Sequence, residues 1–86
     1  MLTKVVELAV VSPYGLSVRF GNGQAGTHDC SKLVLEPGPM FEPLRDPAFF
    51  ARAFLEFGAT WPNGFDMSPE WLRREMLAAG ELSASA

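Results

Sequence analysis

The sequence has few of the residues on which covalent cross-links, metal sites and most catalytic centres depend. Its 86 residues include one cysteine, Cys30, and one histidine, His28. One cysteine cannot form an internal disulfide, which is typical of proteins in a reducing compartment. One cysteine and one histidine are also too few for a tetrahedral zinc site. We therefore expect no metal site and no cofactor.

The one local group of reactive side chains is His28-Asp29-Cys30. Nucleophilic catalysis needs a nucleophile, a base and an orienting group within reach of one another. On a strand, however, His28 and Asp29 point to opposite faces, and His28 and Cys30 lie about 7 Å apart on the same face. This pattern favours an exposed histidine and a semi-buried cysteine, so we expect no catalytic residue and no enzyme activity.

Long apolar runs and clusters of positive charge are missing as well. Apolar runs such as 8–11 are far shorter than the roughly 20 residues of a membrane-spanning helix, and the first four residues lack the apolar stretch of a signal peptide. The net charge is −3, and the seven basic residues are scattered except for Arg73-Arg74. Proteins that neutralise phosphates instead carry a clustered basic face. The sequence thus predicts a cytoplasmic protein that binds neither membranes nor nucleic acid directly.

What the chain does have is a high apolar content. Hydrophobic residues make up 48% of it and include seven Phe and two Trp, which predicts a folded core rather than disorder. A chain of this length forms one domain, and we predict that it covers 1–80, with a frayed tail over 81–86. A domain this small cannot bury so many apolar residues completely. Some of them must therefore contact a protein partner, which includes a second copy in a homodimer, or lie exposed on the surface.

The first third of the chain predicts an antiparallel meander of three strands. A three-residue loop, 13–15, joins the first two strands and sets Val10 opposite Val18. Asn22-Gly23 predicts a two-residue type I′ turn into the third strand, because that turn needs positive φ at both central residues. The alternating pattern puts one apolar face into the core, namely Val6, Leu8, Val10, Leu16, Val18 and Phe20. The opposite, outer face carries Ser17, Arg19 and His28.

The rest of the chain predicts two helices and two short strands. A helix start is indicated at Asp46-Pro47 and again at Ser68-Pro69. The Asp or Ser side-chain oxygen can cap the helix, and proline, which lacks an N–H, follows at a position where the helix does not use one. The predicted elements lie at 48–52, 54–57, 60–61 and 69–79. The two strands extend the meander, and the longer helix covers one face of it. The expected fold is α+β, an antiparallel β-meander with one short and one longer helix in a single small domain.

The segment Trp61-Pro62-Asn63-Gly64-Phe65-Asp66 concentrates the side chains that protein contacts use. One interpretation is a tight turn in which the tryptophan packs on the core and the aspartate closes the loop. The other is a partner surface, because tryptophan, phenylalanine and a peripheral aspartate are typical anchors. We predict that Trp61 is more buried than Phe65. The candidate partner-binding residues are Phe41, Trp61, Phe65 and Asp66.

Three polar residues are candidates for a structural clasp, by which we mean side chains that hold separate segments of the chain together. Asp46 caps the short helix. Arg45 has the length and charge to pair with Asp66 or with Asp29, and either pair would tie the middle of the chain to another segment. The predicted clasp residues are therefore Asp29, Arg45 and Asp46.

Several of these segments resemble one bacterial family, the domain-of-unknown-function family 2442. The resemblance runs from about Val5 to Leu72, and its most specific part is Trp-Pro-Asn-Gly-x-Asp. The segments that carry it are Phe20-Gly21-Asn22-Gly23, Asp29, 40–47, Phe50 and Trp61-Pro62-Asn63-Gly64-Phe65-Asp66. It implies a small α+β fold with a β-meander and no established activity.

The same resemblance implies a biological setting. Members of this family often occur beside another small protein, in an arrangement similar to toxin–antitoxin pairs, and some are fused to a helix-turn-helix domain. The function implied is protein interaction within a small two-gene module. The alternative is a small-molecule-sensing or regulatory domain of the transcriptional-regulator type.

Overall fold

A computed structural model describes residues 4–83 of the chain. Its helices and strands follow the order β1 (Val5–Val11), β2 (Gly15–Phe20), β3 (Ala25–Asp29), α1 (Pro47–Phe50), β4 (Phe54–Leu55), β5 (Ala59–Thr60), β6 (Asp66–Met67), α2 (Pro69–Ala78) and β7 (Leu82–Ser83). Two 3₁₀ turns, Leu33–Leu35 and Glu42–Arg45, lie between β3 and α1. The fold is α+β, as the sequence predicts.

The strands form two antiparallel sheets rather than one extended meander. The first sheet has the order β1-β2-β3-β7, and the second has the order β4-β5-β6. The prediction that the strands after the short helix extend the meander is therefore wrong. Both sheets, α1 and α2 contribute to one core, whose largest fully buried side chains include Leu16, Phe20, Leu44, Phe50, Trp61, Leu72 and Met76.

The β1–β2 hairpin keeps the predicted faces but not the predicted partners. Its three-residue loop is 12–14, so that Val10 lies opposite Leu16 and Leu8 opposite Val18. The pairing is shifted by two positions, and because side chains alternate with a period of two, Leu8, Val10, Leu16, Val18 and Phe20 still face the core.

A β-bulge interrupts this pairing at the start of β1. The register shifts between Val5 and Glu7, which turns Val5 into the core and leaves Val6 42% exposed. An extra residue in one strand reverses the faces on one side of it. The predicted burial of Val6 is therefore wrong, and Val5 takes its place.

The β2–β3 hairpin has a three-residue loop instead of the predicted type I′ turn. The Gly23 amide donates to the Phe20 carbonyl, and the Phe20 amide donates to the Gln24 carbonyl. Only Gly23 has a positive φ, 93°, as in a type I turn followed by one left-handed residue. The extra residue moves β3 by one position, so that His28 lies opposite Leu16. The predicted outer position of His28 is wrong, and its exposure is 8%.

The C-terminal segment corrects another expectation. In place of a frayed tail from residue 81, Leu82–Ser83 pair with β3, with Leu82 opposite Gly26. A Cβ at Gly26 would lie 1.8 Å from the Glu81 carbonyl oxygen, so the close approach of the two strands requires glycine there. Residues 84–86 lie outside the described part of the chain.

Both predicted helix starts are present. The Asp46 carboxylate accepts the Ala48 amide at the start of α1, and the Ser68 hydroxyl accepts the Trp71 amide at the start of α2. Leu72 is buried on the inner side of α2. No helix within residues 4–83 is long and apolar enough to cross a membrane.

Candidate functional site

The segment 61–65 forms a rigid loop whose shape its own sequence dictates. The Gly64 amide donates to the Trp61 carbonyl at 2.9 Å, and the Trp61 amide donates to the Phe65 carbonyl at 2.9 Å. Gly64 has a φ of 92°, which glycine adopts without steric cost. The Asn63 Oδ1 accepts the Phe65 amide at 3.2 Å. Asn63 thus closes the loop in the way that the sequence assigned to Asp66.

Trp61 is the base of this loop. It is 1% exposed, and its indole Nε1 donates to the Phe50 carbonyl at 3.0 Å. Its ring centroid lies 5.3 Å from that of Phe50 and 5.6 Å from that of Phe65. Phe65 is half-buried, so the expected order of burial is confirmed. Buried in this way, Trp61 is a supporting residue and cannot itself contact a partner.

Phe41 reaches the loop from the 3₁₀ segment before α1. Its ring lies 5.0 Å from that of Phe65, and both side chains are half-buried. The Asn63 Nδ2 donates to the Met40 carbonyl at 3.1 Å, which ties the two segments together. Two of the predicted partner-binding residues therefore form one aromatic surface that is already ordered.

This aromatic surface is one end of a groove. Two adjoining cavities, of about 430 Å³ and about 570 Å³, share the residues Leu33, Phe41 and Trp71. We call them together the groove. Its aromatic end is lined by Phe65, Asp66, Met67 and Ser68, and its acidic end by His28, Asp29, Lys32, Glu36, Glu75, Ala79 and Glu81. Asp66 is exposed at the aromatic end.

The acidic end contains a polar link that the sequence did not indicate. His28 Nδ1 lies 2.7 Å from Glu81 Oε1, and Glu81 Oε2 accepts the Asp29 amide at 3.1 Å. The Trp71 ring lies edge-on to the His28 ring at 6.3 Å. His28 and Glu81 are 53 positions apart, and the histidine was assigned to the outer face. The remaining signal was the single histidine of the sequence, since a polar ring needs a partner when it is buried.

The four carboxylates at the acidic end differ in how they are satisfied. Asp29 accepts the Ser31 hydroxyl at 2.5 Å and the Ser31 amide at 2.9 Å, and these bonds lower the pKa of Asp29 below its usual value. Glu81 is held by His28. Within the described residues, the side chains of Glu36 and Glu75 have no hydrogen-bond or ion-pair partner. These two carboxylates are therefore available to a ligand.

The predicted clasp at Arg45 has other partners than expected. Its Nε donates to the Val34 carbonyl at 2.6 Å, and its Nη2 donates to the Glu36 carbonyl at 2.9 Å, instead of pairing with Asp66 or Asp29. The Arg45 carbonyl accepts the Tyr14 hydroxyl. Arg45 thus ties the segment around the first 3₁₀ turn to the second one, close to Phe41. Asp46 and Asp29 each act locally, on the helix start and on Ser31.

Cys30 is fully buried, deeper than the sequence predicts. Burial raises the pKa of its thiol to about 12. A thiol with so high a pKa stays protonated near neutral pH and reacts slowly, since the thiolate is the nucleophile. Within residues 4–83 no three His, Cys, Asp or Glu side chains form a group that could hold a metal ion.

Comparisons with known proteins give one result. Residues 5–77 match the model of a family described as a protein of unknown function, DUF2442. No curated protein and no solved structure matches the chain. Because the match spans most of the 86 residues, the chain belongs to the DUF2442 family.

Proposed function

We propose that this domain is a non-enzymatic protein-interaction module and that the groove is its contact surface. The observation that carries the proposal is the contact of Phe41 with Phe65, at 5.0 Å between ring centroids, with both rings half-buried at the mouth of a groove. Aromatic side chains, phenylalanine included, are enriched at the cores of protein interfaces. The partner is either another protein or a second copy of this chain.

The order of the loop also favours binding. A surface that is fixed before association loses less conformational entropy than one that must be ordered by the partner. The bonds of Asn63 to Phe65 and to Met40 fix the aromatic end in this way. The buried Trp61 holds the loop against the core through its hydrogen bond to the Phe50 carbonyl.

The test compares two phenylalanines that differ in their position. Phe65→Ser should abolish co-purification of partners from the native host, or self-association in light scattering, while the domain remains folded. Phe57 is 62% exposed and does not line the groove, so Phe57→Ser is the matched control and should associate like the parent. Equal association by the Phe65→Ser variant and the parent would refute the proposal.

For the biological setting, we propose a toxin–antitoxin-like two-gene module in a bacterium. The resemblance of the segments around Asn22-Gly23 and Trp61 to their family supports this setting. A small companion gene that overlaps or adjoins the gene for this chain is the expected observation, and co-expression should yield a complex. A gene that stands alone would count against it.

The acidic end of the groove favours a second candidate, the sensing of a small molecule. Its volume of about 570 Å³ lies within the usual range of about 300–1,000 Å³ for ligand sites. In this case a metabolite, rather than a protein, would raise the thermal stability of the isolated domain. Thermal-shift measurements with a metabolite collection distinguish the two candidates.

A further inference from the structure

The two ends of the groove differ in chemistry, so a ligand can fit it in one orientation only. Phe41 and Phe65 make the aromatic end apolar, and Trp71 and Leu33 continue this apolar lining toward the middle. The other end is lined mainly by charged and polar side chains. A ligand that fills the whole groove must therefore be apolar at one end and polar at the other.

The charge of the polar end is negative. The carboxylates of Asp29, Glu36, Glu75 and Glu81 line it, and within the described residues Lys32 is the one basic side chain other than His28 that does so. Lys32 is close enough to Asp29 to lower the pKa of that carboxyl, and His28 is paired with Glu81.

The other two carboxylates at this end differ from Asp29 and Glu81 in their partners. Glu36 and Glu75 have no partner within the described residues, and they come from different elements, the segment after the first 3₁₀ turn and α2. A cation bound at this end of the groove would be attracted by both charges, whereas an anionic ligand would be repelled.

We propose that the groove binds a segment of a partner protein that carries an arginine or lysine next to a large apolar side chain. The apolar side chain packs against Phe41 and Phe65, and the cation lies at Glu36 and Glu75. This inference rests on the proposed function, since it specifies the chemistry of the partner at the same groove. Charge complementarity selects the basic segment over an acidic or a purely apolar one.

Three short labelled peptides test the inference by fluorescence anisotropy against the whole chain. The first carries arginine and leucine residues, the second has glutamate in place of arginine, and the third keeps arginine but has serine in place of leucine. The first peptide should bind, and its affinity should fall as salt is raised, because exposed charges are screened. The second and third should bind much more weakly. Equal binding of the first two, or no binding of the first at millimolar concentration, overturns the inference.

Charge-reversal variants test whether the carboxylates of the groove bind the cation of the peptide. Glu36→Lys and Glu75→Lys should each lower the affinity for the arginine–leucine peptide by about fivefold, the scale of one exposed ion pair. Glu56 is exposed and does not line the groove, so Glu56→Lys makes the same change in net charge and should leave the affinity unchanged. Lys32→Glu should strengthen binding. An equal effect of Glu75→Lys and Glu56→Lys would show a general charge effect and overturn the assignment.

Phe65→Ser separates the failure of this inference from that of the proposed function. If Phe65→Ser loses partner binding but Glu36→Lys and Glu75→Lys have no effect, the proposed contact surface is supported. The inference that the partner is basic is then wrong. If Phe65→Ser has no effect on either the peptide or the native partner, both proposals are wrong.

Discussion

Two loops in this chain, 20–24 and 61–65, have the same backbone and very different surroundings. In each, the amide of the fourth residue donates to the carbonyl of the first, and the amide of the first donates to the carbonyl of the fifth. Gly23 and Gly64 have φ values of 93° and 92°. In each loop the asparagine Oδ1 accepts the amide two residues later. The shared Asn-Gly pair suits this conformation, because the asparagine supplies the acceptor and the glycine adopts the positive φ.

The difference between the loops lies in what the fifth residue contacts. Gln24 ends the first loop, and its side chain bonds to Asn22 and to Arg73 on α2. Phe65 ends the second loop and packs on Trp61 and Phe41 at the groove. The first loop therefore joins two strands and a helix, whereas the second presents an aromatic ring. The same local geometry serves a structural role in one place and a proposed binding role in the other.

The largest effects should come from the first residue of each loop. Phe20 and Trp61 are both 1% exposed, and truncation of a buried aromatic to alanine costs about 3–5 kcal/mol of the free energy of unfolding. Trp61→Ala also removes the indole hydrogen bond to the Phe50 carbonyl, which then keeps the Ala53 amide as a donor, so we expect Trp61→Ala to be at least as destabilising as Phe20→Ala. Urea denaturation measures both. A small loss in Trp61→Ala would contradict its role as the base of the loop.

An intermediate effect is expected at the two glycines. Alanine at a left-handed φ costs about 1–2 kcal/mol, so Gly23→Ala and Gly64→Ala should lower the free energy of unfolding by similar amounts. Gly80, with a φ of 70°, ends α2 and provides a third site at which the same cost should appear. A much larger loss at Gly64 than at Gly23 would show that the two loops are not equivalent in stability.

The smallest change in stability, and the sharpest contrast, should come from the two asparagines. Asn22→Ala and Asn63→Ala each remove the bond to the amide two residues later, and Asn22→Ala also removes the bond to the Gln24 side chain. Most of these bonds are exposed to water, so each variant should lose about 1 kcal/mol or less in total. Asn63→Ala also removes the bond to the Met40 carbonyl and so loosens the aromatic end of the groove. Asn63→Ala should therefore weaken partner binding, measured by anisotropy or co-purification, and Asn22→Ala should not. Equal binding by both variants would mean that the loop needs no fixed position beside Met40.

The candidate site was only partly predictable from the sequence. Phe41 and Phe65 were chosen because aromatic residues beside proline and glycine are typical of exposed, ordered loops, and the structure brings the two rings together. The acidic end was missed, because Glu81 was placed in a frayed tail and His28 on the wrong face. A change of one residue in the length of the loop around Asn22 reverses every side chain of β3, and local sequence does not fix that length.

The sequence by itself determined the features that depend on neighbouring residues. These are the α+β class, the helix starts at Asp46 and Ser68, and the turns at Asn22-Gly23 and Asn63-Gly64, since caps and left-handed glycines act within a few positions. Only the tertiary structure decided the register of β3, the division into two sheets and the pairing of β7. These depend on contacts between segments as far apart as His28 and Glu81, 53 positions along the chain, where the packing of the whole core selects among registers that are locally equivalent.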